Sequence, residues 1–150
     1  MTVCYTGSNT TIAELVADYL DQRDDEVMQA LVTAGALVAM ADGQVQTIER
    51  DELINYVDRQ GFVPTVSRQD IAEAFDNRVR QLEERDSTSV IVEAFRPLAG
   101  LSLSSVVIRA AERVAAVDRY LHPNELRTIK LIRLIMSTLP TKRLPVSRAS

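Results

Sequence analysis

The chain has 150 residues, 46% hydrophobic and 25% charged, a formal net charge of −4, a single cysteine and no tryptophan. An acidic balance argues against nucleic acid as a partner, because neutralising phosphates needs a basic surface. Cys4 alone forms no internal disulfide, no secretory pattern opens the chain, and the most apolar run, Ala34–Ala41, is too short to span a bilayer, which points to the cytoplasm.

Periodicity and stop signals predict seven helices and no strands. The first places Ile12, Leu15, Val16, Tyr19 and Leu20 on one face behind a Thr10–Thr11 cap. A second runs from about Asp25 to Ala41 with Met28, Leu31, Val32, Gly35 and Val38 inward, and a third from Thr47 to Gln60. Gly61 supplies the left-handed residue that ends it, and Pro64 follows. Ser67 and Asp70 form a capping box, with Asp for the usual Glu or Gln, and open a fourth helix striped by Ile71, Phe75, Val79 and Leu82. The fifth spans Ser87 or Thr88 to Arg96, stopped by Pro97 and Gly100. The sixth starts at Ser102 and buries Leu103, Val106, Val107, Ala110, Ala111 and Val114. The seventh opens with His122–Pro123, proline being favoured at the first helical position, and carries Leu126, Ile129, Ile132, Ile135, Met136 and Leu139 to Pro140. This reads as one all-α domain over residues 1–140, followed by a loosely ordered basic tail at 141–150.

The second and third helices recur as the sixth and seventh at an offset of 76 residues: Ala34 matches Ala110, Val38 Val114, Ala39 Ala115, Asp42 Asp118 and Glu49 Glu125. The implied unit is an internally duplicated helix, acidic turn and helix, with the two hairpins packed about an approximate two-fold axis. In each turn an Asp closes one helix and a Glu stands seven residues later, in the first turn of the next. The Glu suits the positive end of the helix dipole, whereas an Asp at a helix C-terminus opposes it and needs compensation. Either the Asp accepts hydrogen bonds from turn amides as a structural staple, or Asp and Glu together hold a cation. Two carboxylates are too few for calcium, which wants six to eight oxygens; four would converge only if the turns met.

The run Ala39-Met40-Ala41-Asp42-Gly43-Gln44-Val45, with Glu49 after it, resembles the signature turn of the TerB-like tellurite-resistance family. The resemblance extends from the second predicted helix to the seventh. It implies a helical fold with two acidic turns, a place in tellurite-resistance and stress-response systems, and candidate metal ligands at Asp42, Glu49, Asp118 and Glu125 for a divalent cation (calcium, zinc or magnesium). The second turn departs from the family pattern: Arg119 follows Asp118 where glycine is usual, and its charge offsets the carboxylate without an ion.

No P-loop, dinucleotide fingerprint, zinc-protease motif or nucleophile elbow is present, so no catalytic residue is assigned. His122 reads as a capping or surface residue and Cys4 as a poor nucleophile. Arg78, Arg80 and Arg85, interleaved with Glu83 and Glu84, read as a solvated salt-bridged face. Lys142, Arg143 and Arg148 in the tail support at most peripheral membrane attraction. The expectation is a non-catalytic stress-response module that binds a partner protein and is regulated by a cation, with a homodimer left open. Its alternatives are a metal-dependent hydrolase using the same carboxylates and a purely structural helical domain.

Overall fold

Between Ile12 and Ala34 the sequence holds neither glycine nor proline, and nothing there stops a helix once it has started. In the computed structural model this stretch belongs to a single helix, α1 (Ile12–Ala39), followed by α2 (Thr47–Gln60), α3 (Arg68–Glu84), α4 (Ser87–Phe95), α5 (Ser104–Ala116) and α6 (Pro123–Thr138). A 3-10 turn at Arg96–Leu98 carries Pro97 beyond α4. The structure describes residues 12–41, 43–84, 86–98, 104–117 and 122–139, and of residues 17–19 the backbone alone. Among them there is no strand, and no helix is long and apolar enough to cross a membrane.

Among the described residues six helices thus stand where seven were expected, because the first two predicted elements are continuous. The charged run that separates their apolar stripes does not break the helix. Within it, Asp24 is buried and accepts hydrogen bonds from the Thr65 backbone N–H at 2.9 Å and the Thr65 hydroxyl at 2.7 Å. A carboxylate inside a helix is thereby used to hold the α2–α3 loop, which satisfies an otherwise costly buried charge.

The second half of α1 is the centre of the molecule and packs against α2, α3, α4, α5, α6 and the 3-10 turn. Every residue from Ala30 to Ala36 is buried. Small side chains make this possible by letting neighbouring helices approach on all sides. Gly35 shows the limit: a Cβ there would stand 2.5 Å from a terminal methyl of Leu53 on α2, itself fully buried.

The predicted helix ends hold where local chemistry sets them. Gly61 closes α2 at φ 68°, and the Ser67 hydroxyl accepts the Asp70 N–H at 3.1 Å. Ile71, Phe75 and Leu82 are buried on α3, Val107, Ala110, Ala111 and Val114 on α5, and Ile129, Ile132 and Met136 on α6. Leu126 departs from expectation and is exposed, because it lies on the edge of α6 turned away from Ile132 and Met136. Arg78 is likewise no surface patch residue: it is half-buried and donates to the Gln29 side chain on α1, while Arg80 bonds Asn77 within its own helix. Thr10–Thr11, Cys4, Arg85, Ser102, Leu103, Arg119 and the 141–150 tail lie outside the described residues.

Candidate functional site

The first acidic turn leaves α1 through Gly43, whose φ of 102° is a conformation that side chains disfavour. Val45 packs partly buried against the core, and Gln46 takes an extended conformation as the residue before α2. Glu49 is then the third residue of the helix, and its Oε1 accepts the Gln46 backbone N–H at 3.3 Å. The second turn ends in the same way. His122 is the extended residue before α6, Pro123 opens the helix, and Glu125 Oε1 accepts the His122 N–H at 3.2 Å. Each glutamate therefore reaches back over its own helix start, one half of a capping box, and satisfies an amide that the helix leaves unpaired.

Both carboxylates are inside the protein, Glu49 at 1% exposure and Glu125 at 0%. Acidic side chains are almost never buried this completely unless they are paired. Glu125 Oε2 is buried and has no hydrogen-bond partner among the described residues. A buried polar atom so placed lacks the partner that burial ordinarily requires. Direct packing of α1 and α2 against α5, and of α5 against α6, brings the two helix pairs into one body. Of the four carboxylates singled out by sequence, Glu49 and Glu125 belong to the described residues, whereas Asp42 and Asp118 lie outside them. Among the described residues no group of three or more His, Cys, Asp or Glu is arranged to hold a metal ion.

Around the first turn the charges are cross-tied. Arg50 grips Asp76 on α3 through Nε at 2.8 Å and Nη2 at 3.0 Å. The hydrogen bond from Arg50 holds the Asp76 carboxyl below its ordinary range; burial opposes this, and the charges of Arg50 and Arg80 reinforce it. Arg113 on α5 reaches Glu52 on α2 at 3.0 Å and lies 4.9 Å over the Tyr56 ring. A groove of about 550 Å³ between α1 and α3, edged by Asp21, Asp25, Asp70 and Glu73, includes neither buried glutamate in its lining.

Sequence reasoning placed both glutamates in the first turn of a helix but missed their burial and their reach to the preceding amide. The signal was present, since each stands three residues after the capping position. It was masked because Gln46 and His122 occupy the place where Ser, Thr, Asp or Asn usually marks a cap. Asp24 was missed as well; nothing local distinguishes it from the exposed acids beside it.

An all-α domain built on one central helix, with two inter-helix turns that each end in a buried, amide-capping glutamate, is the class this molecule defines. The family model described as tellurite resistance protein TerB matches residues 28–143. The chain belongs to the TerB family. No curated protein and no solved structure matches it significantly. The family match begins at Met28, inside α1, and leaves the first four turns of that helix outside it.

Proposed function

We propose that this TerB-family domain is a non-catalytic stress-response module that binds a partner protein, and that its acidic turns take up a divalent cation which regulates the binding. The observation that carries the reading is Glu125: wholly buried, with one oxygen committed to the helix start and the other without a partner among the described residues. A buried carboxylate oxygen of this kind fits a hard cation, which calcium or magnesium would supply. Asp118 in the same turn, and Asp42 with Glu49 in the other, are the further ligands in this proposal. Ion uptake would fix the turn against α6 and so stabilise the surface that a partner meets, by linkage between ion and fold.

Calorimetric titration of the metal-free protein with calcium, magnesium, zinc and manganese tests this directly. Two double variants serve as controls, Asp42→Asn with Glu49→Gln and Asp118→Asn with Glu125→Gln. Saturable binding that is lost in a variant supports the cation reading. Absence of heat in the wild-type protein, with variants that are only less stable, would leave both glutamates as helix caps and the turns as structural staples.

A further inference from the structure

Two helix faces are exposed that carry apolar residues at helical spacing, and they differ in the charge around them. The first is the start of α1. Its described side chains from Ile12 to Gln22 are all exposed, a projection that ends where Asp21 and Asp25 edge the groove on α3. Ile12, Leu15, Val16 and Leu20 line one side of this projection with exposures of 79%, 57%, 49% and 41%. The residues from Ile12 to Arg23 include Glu14, Asp18 and Asp21 and one cation, Arg23, which lies 3.9 Å from buried Asp24, so the segment is net acidic. The second face is the outside of α6. Arg127, Lys130, Leu131 and Leu134 follow the i, i+3, i+4, i+7 pattern of a single stripe, turned away from buried Ile129, Ile132 and Met136. Leu131 and Leu134 are 50% and 58% exposed, and the only acid of α6, Glu125, is buried.

We propose that these faces dock on each other between two copies of the chain, the projecting end of α1 from one on the outer stripe of α6 in the other. Within one chain the pairing is not available, since α1 packs against α6 inside the bundle while the stripe points outward. Pairing two α1 ends would bring two acidic segments together, and pairing two α6 stripes would bring two cationic ones together. Only the crossed pair covers both apolar faces and joins opposite charges, which sets specificity as much as affinity. Crossed contacts made reciprocally give a closed two-fold dimer using both faces of both copies. The inference is independent of the cation proposal, because none of these side chains belongs to the acidic turns.

Sedimentation velocity of the full chain over a range of protein and salt concentrations tests it. The wild type is expected to dimerise with concentration and to dissociate more readily as salt screens the crossed charges. Two variants, Leu15→Ser with Val16→Ser and Leu131→Ser with Leu134→Ser, should each weaken self-association at least about tenfold per residue changed. Circular dichroism should show both to be as helical as wild type, since all four side chains are exposed. Mixed in equal amounts, the two variants should associate again, because the intact α1 end of one meets the intact α6 stripe of the other. A wild type that stays monomeric, a variant that still dimerises, or a mixture that fails to associate would each overturn the proposal. So would binding of a monomeric wild type to phosphatidylserine vesicles through Leu131 and Leu134, which would assign the stripe to a lipid surface.

Discussion

The pairs α1–α2 and α5–α6 share one local feature and differ in what surrounds it. Both head the second helix with a buried glutamate, Glu49 and Glu125, 76 residues apart. The same offset relates Gly35 to Ala111 and Leu53 to Ile129, so one pair touches through a glycine where the other accommodates an alanine. It also relates Ile54 and Val57, buried on α2, to Lys130 and Arg133, exposed on α6. α2 is enclosed by α1, α3 and α5, and it needs apolar residues on more than one face. No later described helix covers α6, whose far side is cationic and whose Leu126, Leu131 and Leu134 are exposed. A helix's sequence thus reports how many neighbours it has, beyond the fact that it is a helix.

The largest effect that would break this comparison lies at the glycine. Gly35→Ala should destabilise the protein, since overpacking against Leu53 costs about 1–3 kcal/mol and outweighs the helix-propensity gain of about 1 kcal/mol. The reciprocal Ala111→Gly should also destabilise, by about 1 kcal/mol, through propensity without any clash. Urea unfolding of both variants checks the pair; a neutral or stabilising Gly35→Ala would mean that the two helix pairs are spaced alike.

A smaller effect separates the two glutamates. In metal-free buffer Glu125→Gln should change stability little, because the second oxygen has no partner among the described residues to lose and an acceptor for the His122 N–H is kept. Glu49→Gln should cost about 1 kcal/mol more, by weakening the charge at the α2 start and disturbing a carboxylate with further interactions of its own. Chemical denaturation of the two single variants decides the order, and equal losses would erase the asymmetry.

The smallest effect concerns the ties that only α2 has to α3. Asp76 is 47% exposed at its side chain, so solvent screening limits the Arg50–Asp76 pair to under about 1 kcal/mol. The folded carboxyl titrates below its ordinary range, chiefly because of the Arg50 hydrogen bond. Its contribution is therefore present above the ordinary carboxylate range and is lost as pH falls through the lowered value. The stability gap between wild type and Asp76→Asn should be widest at neutral pH and close in acid. A gap that grows in acid would contradict the assignment.

Local chemistry was readable from the sequence alone. Gly61 after α2, Ser67 before α3 and Pro123 at the head of α6 act within a few residues, and each marks its boundary in the structure. The apolar stripes of α3 and α5 and the acidic turn that carries the TerB resemblance belong to the same range, so helix content and family followed from the sequence. Tertiary structure decided what covers each face. Periodicity shows that Ile129 and Leu134 are both apolar residues of a helix, yet one is enclosed and the other is 58% exposed. It shows Asp24 and Asp25 as neighbouring acids, yet only Asp24 meets Thr65 across the fold. It places Glu49 and Glu125 at helix starts, where a carboxylate is ordinarily solvated, and only the packing of the two helix pairs takes them out of water. The physical reason is common to all three: propensity and capping act through bonds and contacts within a turn or two of chain, whereas burial depends on residues distant in sequence.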